Sequence, residues 1–395
     1  MAISKRTWTT KKGEKRSAWE ASYTDKTGKR RRKQFDRKKE AESWMIKVQS
    51  ELAAGLHTPE SQSISVKEAA QIWLQACARG RDGRDAVERH TLRSYESHVR
   101  LHINPLLGER LLSSLTAPEV SAFRDRLLDA VSRSMAKKVV SSLKAILTEA
   151  QKRGLVSQNV AQTVSVSTAS RHKKRVEIPS KAEVREALHM AQELRDDHQS
   201  HISKAWRRYY PFLQMAVSTG MRASELRGLY WSHIDMGKGV VTICQRADED
   251  GIIGPVKSGA GRRAIRISPA LVKVLREWKL NCPPGDLVFP NFQGKVENHA
   301  NMRNRCWYSL SKRCGLLKPV EGKQGQRMVA KYNFHALRHF HASMLIASGA
   351  TPKEVQVEMG HSSIQVTFDV YGHLFPENDA ERTARAAAMD AEIFA

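Results

Sequence analysis

The hydrophobic period of this chain changes at Asp36, and that change restricts the possible folds more than any other feature. In SAWEASYTD, residues 17–25, Trp19, Ala21 and Tyr23 fall on one face and Glu20, Ser22 and Thr24 on the other. This is the period-two pattern of a half-buried strand. DKTG, residues 25–28, reads as a turn. KRRRKQF, residues 29–35, returns as a second strand with basic side chains, and the residues around RTWTT, 6–10, supply a third. From Asp36, a candidate N-cap, Ala41, Trp44, Met45, Val48 and Leu52 recur at helical spacing. Residues 1–55 therefore read as a small sheet with one helix.

Past a short linker at 56–63 the pattern is helical. Ser65-x-x-Glu68 and Thr116-x-x-Glu119 are capping boxes, the second with Pro118 in its first turn. A helix from near Thr91 carries Leu92, Tyr95 and Val99, and another carries Val139, Val140, Leu143, Ile146 and Leu147 before Gly154 ends it. Residues 64–165 thus form an all-helical block. A basic linker, SRHKKRVEIPS at 170–180, leads to a third capping box, Ser180-x-x-Glu183, which opens a mainly helical block over 177–395. Within it GVVTICQ and RRAIRIS, between residues 239 and 268, read as a small antiparallel sheet. The fold class is multidomain α+β.

Charge names the class of partner. Lys and Arg number 66 against 41 Asp and Glu, a balance of +25. Such an excess favours a polyanion, and nucleic acid above all. No run approaches a membrane span and no apolar signal core opens the chain, so a membrane is not expected as partner. The five cysteines, Cys77, Cys244, Cys282, Cys306 and Cys314, form no C-x-x-C pair. Neither zinc nor a disulfide frame is indicated, and a reducing cytoplasm fits. Residues 1–55 carry 16 basic residues against 7 acidic ones. Arg30, Arg31 and Arg32 there, Lys137, Lys138 and Lys144 on the fourth helix of the second block, and Lys173 and Lys174 in the linker are candidate DNA contacts.

Candidate chemistry lies in the third block. Arg222 follows the Thr219-Gly220 break, with Glu225 three residues on. An arginine held by its own carboxylate presents a fixed fork to a phosphate, although a plain i, i+3 surface ion pair fits the same spacing. GPVKSGAGRR, residues 254–263, carries Lys257 on a Gly-rich loop that lacks the order of a nucleotide-binding loop. A solvated lysine and a proton donor delivered on a hairpin both fit it. His335 and Arg338 share a helix face, while His339 and His341 fall elsewhere on the wheel. A metal reading of these histidines lacks its central carboxylate and third ligand, so no metal is expected. Gly360-His361-Ser362-Ser363 makes a turn, and Thr367 and Tyr371 then lie one helical turn apart.

The order of these pieces is more specific than any one of them. TGMRASEL, HALRH, GHSS and TFDVYGHL together resemble the motifs of the tyrosine recombinases of the phage-integrase family. The resemblance implies that Tyr371 is the nucleophile, that Arg222 and Arg338 clamp the scissile phosphate, and that His335, His361 and Lys257 complete the catalytic set. Glu225 would steady Arg222. It further implies an arm-site-binding domain over 1–55, a core-site-binding domain over 64–165 and a catalytic domain over 177–395. The chemistry would need no cofactor: the phenol oxygen attacks phosphorus and keeps the bond energy in a 3′-phosphotyrosine. Basic neighbours are expected to make that phenol ionise more readily than a free tyrosine.

The partners implied are double-stranded attachment sites, a homotetramer on DNA, an accessory DNA-bending protein and an excision factor. The tail from Glu377, with Ile393 and Phe394 at its end, is expected to dock on a neighbouring subunit, although packing on its own domain fits the pattern too. The leading expectation is an integrase of a phage or integrative element. A resolvase or type IB topoisomerase with the same chemistry, and a non-enzymatic DNA-bending protein of the same fold, are the alternatives.

Overall fold

The computed structural model describes residues 2–10, 13–25, 28–53, 63–83, 85–167, 176–322, 325–375 and 379–394. Its chain separates into two compact units, Met1–Lys173 and Lys174–Ala395.

The first unit opens with β1 (Ala2–Thr9), β2 (Lys15–Thr24) and β3 (Arg30–Phe35), an antiparallel sheet in the order β1-β2-β3. Pairing sets Trp19 opposite Phe35 and Tyr23 opposite Arg31. Because side chains alternate along a strand, Ala21 and Tyr23 reach one face together. There α1 (Lys38–Ala53) buries Ala41, Met45 and Val48 against them, each side chain contributing on the order of 1 to 3 kcal/mol of burial. Trp44 closes the edge at 5.4 Å from Phe35 and 5.6 Å from Tyr23.

The same unit continues with α2 (Val66–Arg79), α3 (Arg89–His98), α4 (Asn104–Leu107), α5 (Ala117–Ala130) and α6 (Arg133–Lys152). Both expected capping boxes form: Ser65 and Glu68 exchange bonds at the start of α2, and Thr116 and Glu119 at the start of α5. Their core holds Trp73, Ile103, Phe123, Leu143 and Ile146. Gly154 follows α6 with φ +70°, the left-handed residue a helix stop requires.

The second unit holds α7 (Lys181–Arg195), α8 (Ser200–Thr219), α9 (Ala223–Arg227), α10 (Pro269–Asn281), α11 (His299–Asn301), α12 (Ser309–Arg313), α13 (Ala336–Ala347), α14 (Pro352–Met359), α15 (Ile364–Tyr371) and α16 (Asp379–Phe394). The third box, Ser180 with Glu183, caps α7. Between α9 and α10 lie β4 (Ile234–Asp235), β5 (Val240–Ile243), β6 (Gln245–Ala247), β7 (Ile253–Pro255) and β8 (Arg263–Arg266). The two strands read from sequence do pair, with Val241 opposite Ile265. Their connection is not one loop, however, because β6 and β7 form a second hairpin inside it. A further hairpin, β9 (Leu317–Gly322) and β10 (Gly325–Ala330), was not legible in the sequence, since most of its residues are exposed on both faces and leave no alternation.

The main core of this unit centres on Leu213, Met215, Leu226, Ile243, Leu275 and Phe289. A smaller cluster of Ala342, Ile346, Val355, Met359 and Tyr371 ties α13, α14 and α15 together. Among the described residues no helix is long and apolar enough to cross a membrane.

A candidate active site around Tyr371

Two left-handed glycines shape the site. Gly220 ends α8 at φ +57° and Gly360 ends α14 at φ +62°, conformations that side-chain-bearing residues avoid. Each turn aims a carbonyl inward. Gly220 O accepts from Arg338 Nη1 at 2.7 Å, and Gly360 O accepts from Arg222 Nη2 at 3.1 Å. Arg338 Nη2 also donates to Met359 O. A β-carbon on Gly220 would sit 2.7 Å from the His341 ring. His341 itself is fixed by Val217 O at 3.1 Å and Glu358 Oε1 at 3.2 Å.

Arg222 occupies the position before α9. Its backbone N–H and Nη1 both donate to Glu225, at 2.9 and 2.7 Å. The spacing left open a surface ion pair, but Glu225 is only 2% exposed. Arg263, as deeply buried, donates Nη2 to Glu225 Oε2 at 2.9 Å. Burial pushes the Glu225 carboxyl up, yet Arg263 and Arg222 outweigh it and hold it below its ordinary range. Arg263 was absent from the residues singled out in the sequence, because its contacts lie 38 and 95 residues away.

His335, His361 and Tyr371 complete the cluster. His361 Nδ1 lies 2.9 Å from Thr367 Oγ1, which fixes the ring, and the ring stacks at 6.2 Å from Tyr371. Burial, then the neighbouring His339, Arg338 and Arg222, lower His335 to about 4. Burial and the same two arginines lower His361 to about 4. Both imidazoles are therefore neutral at pH 7 and present one N–H donor each.

Tyr371 requires a correction. It is 1% exposed, and the desolvation of its phenol outweighs the attraction of Arg338 and Arg222 for a phenolate. Its pKa is pushed up to about 12 rather than down. Its hydroxyl nevertheless has a polar partner: Oη lies 2.7 Å from His339 Nδ1. His339, set aside on the helical wheel, also packs edge-on to His335 at 4.9 Å. Its i+4 spacing from His335 was the available signal, since residues four apart share a helix face. Burial lowers the His339 pKa, so its ring is neutral, and in the tautomer with its hydrogen on Nε2 the Nδ1 atom accepts from the phenol.

The remaining candidates belong to other segments of the chain. Lys257 is exposed in the bend after β7, on the segment that continues through Gly259–Gly261 into Arg263. Alternation along β3 separates the three N-terminal arginines. Arg31 lies on the α1 side, bound to Asp25 Oδ2 at 2.7 Å. Arg30 and Arg32 point the other way, Arg30 toward Ser22 Oγ at 3.2 Å and Arg32 toward Glu20 at 3.7 Å. Lys137 and Lys138 are exposed on α6, while Lys144 reaches Gln162 O at 2.9 Å. Lys173 and Lys174 lie outside the described residues. Among the described residues no group of three or more His, Cys, Asp or Glu side chains converges to hold a metal ion.

Chemically, the cluster offers two guanidinium groups and two neutral imidazoles around one buried phenol that is hydrogen-bonded to a third imidazole, His339. That is a site for an anion attacked by an oxygen nucleophile.

Comparison with known proteins gives the chain a family. The description of the phage integrase family matches residues 180–378. Prophage integrase IntR of Escherichia coli (strain K12) is 26% identical over 185 residues, 43% of this chain and 44% of that protein. The chain thus spans less than half of IntR. The ICEBs1 integrase of Bacillus subtilis (strain 168) is 23% identical over 330 residues, 82% of each chain. Among solved structures, the Tn1549 transposon integrase in complex with a circular intermediate DNA superposes with a TM-score of 0.63 at 19% identity, covering 82% of this chain and 100% of that one. A lambda integrase dimer bound to a COC' core site gives 0.56 at 19% identity, covering 92% and 93%.

Proposed function

This chain belongs to the phage integrase family of site-specific DNA recombinases, and from that premise we propose that Tyr371 is its nucleophile and that the cluster around it cuts and rejoins attachment-site DNA. Arg222 and Arg338 hold the nonbridging oxygens of the scissile phosphate, with His335 and His361 donating to the same oxygens. Preorganised donors of this kind contribute roughly 3–4 kcal/mol each where charge builds in the transition state. Tyr371 Oη attacks phosphorus as its proton passes to His339 Nδ1. The 5′ oxygen leaves and takes a proton from the Lys257 ammonium carried in on its loop, since His335, neutral at pH 7, has no imidazolium proton to give. The DNA 3′ end remains as a phosphotyrosine, and the reverse reaction with a new 5′-hydroxyl rejoins the strand. Neither ATP nor a metal enters the balance.

The observation that supports this most is the 2.7 Å bond between Tyr371 Oη and His339 Nδ1 beside two arginines, since a buried phenol with a proton acceptor is prepared to attack. Residues 1–55 would read arm-type DNA with Arg30 and Arg32, and residues 64–165 would hold the core site with Lys137, Lys138 and Lys144. Arg31 would support the sheet, and Lys173 and Lys174 would follow the backbone. A homotetramer would assemble on DNA through α16, whose Ile393 and Phe394 are 68% and 83% exposed, and integration and excision would enlist an accessory bending protein and an excision factor.

A nicked suicide substrate tests the reading, because the broken strand diffuses away and traps the intermediate. Wild-type protein should form a covalent adduct and Tyr371→Phe should form none. An adduct retained in Tyr371→Phe would overturn it.

A further inference from the structure

Resting on that reading, we propose that Arg263 is a positioning residue that decides where the Arg222 guanidinium points, by spanning both oxygens of the carboxylate that Arg222 would otherwise close upon. Arg263 makes bonds in three directions from a side chain that is 2% exposed. Nε donates to Glu358 O at 2.7 Å, Nη1 to Gly261 O at 3.0 Å, and Nη2 to Glu225 Oε2 at 2.9 Å. One rigid guanidinium thus joins the end of α14, the turn before β8 and the start of α9. Nη1 is also the atom nearest a β-carbon built on Gly360, at 2.9 Å, so Arg263 lies directly behind the turn whose carbonyl receives Arg222.

Glu225 Oε1 accepts Arg222 Nη1 at 2.7 Å, with Arg263 Nη1 at 3.3 Å. Oε2 accepts Arg263 Nη2 and the Arg222 backbone N–H, both at 2.9 Å. Arginine and carboxylate pair most strongly fork to fork, with two parallel bonds. Arg263 lies across both oxygens and, with the Arg222 backbone N–H on Oε2, leaves the Arg222 guanidinium only Oε1. Arg222 is left with one nitrogen on Glu225, one on Gly360 O and an outer edge free for a phosphate. Without Arg263, the buried carboxylate would draw the Arg222 side chain into a bidentate pair and turn it away from the DNA. Lysine cannot substitute, because an ammonium lacks the planar fork that bonds in three fixed directions.

The test compares Arg263→Ala and Arg263→Lys with wild type and Arg222→Ala, using the full chain and a suicide substrate with either a normal phosphodiester or a neutral methylphosphonate at the cut. Gel-shift affinity reports whether each variant still folds and binds, and Arg263→Lys keeps the test open if the alanine variant does not. On the phosphodiester both Arg263 variants should bind DNA near the wild-type level and lose about 100-fold in cleavage rate, the scale of a misplaced catalytic group. On the methylphosphonate, which lacks the charge that Arg222 neutralises, the loss should shrink to less than about tenfold, as it should for Arg222→Ala. An equal loss on both substrates would mean that Arg263 only supports the fold and would overturn the proposal, as would cleavage within threefold of wild type on the phosphodiester. Failure of the nucleophile assignment is read separately, from an adduct in Tyr371→Phe.

Discussion

Replacing His339 with alanine tests how a phenol this buried can react at all. With its pKa near 12, Tyr371 at pH 7 lies five units below ionisation, so forming the free phenolate first would cost about 7 kcal/mol. A base at 2.7 Å removes that requirement by taking the proton as the oxygen attacks, a contribution of roughly 100- to 10,000-fold. Burial keeps His339 neutral across the working range, so the wild-type cleavage rate should be flat between pH 7 and 9. In His339→Ala the proton must leave to water. The phenolate fraction then rises tenfold per pH unit below 12, and the rate should follow it upward. Single-turnover adduct formation on the nicked substrate, measured from pH 7 to 9 under saturating protein, reads both effects. A His339→Ala rate within threefold of wild type at pH 7, or a flat profile in the variant, would refute the reasoning.

Three further perturbations follow from the same geometry. Glu225→Gln removes one partner of a buried ion pair with Arg263, so unfolding by urea should show a loss of about 3–5 kcal/mol. Because the Glu225 carboxyl is held below its ordinary value, this stability is present above about pH 4.5 and is lost as pH falls through the folded-state value, and that acid-sensitive part should be missing from the variant. Gly360→Ala places a β-carbon at φ +62°, 3.0 Å from Ala260 O, and should cost about 1–2 kcal/mol by thermal unfolding while also slowing cleavage through the shifted Arg222 acceptor. Deleting residues 377–395 removes the exposed Ile393 and Phe394 and should lower cooperativity in a gel-shift titration on DNA; unchanged cooperativity would contradict docking through the tail.

Local signals in the sequence carried over well into the fold. The boxes at Ser65, Thr116 and Ser180 formed because a capping box is satisfied within four residues and needs nothing distant. The alternation of Trp19, Ala21 and Tyr23 likewise found a helix to bury it. In the site, Arg222, Glu225, His335, Arg338, His361 and Tyr371 were all legible as motif positions, and the structure gathers them. What escaped was tertiary. The partnership of His339 and Tyr371 spans 32 residues, and that of Arg263 with Glu225 spans 38. The sign of the Tyr371 shift escaped for the same reason: a sequence shows which cations are available, but not that the ring will be sealed against Ile346, Val355 and Met359 until desolvation wins. Side-chain direction on β3 was also hidden, since the run Arg30-Arg31-Arg32 reads as one patch until alternation turns Arg31 toward Asp25.

The most direct measurement of the central claim is the identity of the residue joined to DNA. Protein trapped on a suicide substrate, digested with trypsin and nuclease and read by mass spectrometry, should yield a nucleotide attached through its 3′ phosphate to Tyr371 and to no other residue. A phosphate on a different side chain, or attachment through the 5′ end, would contradict the account.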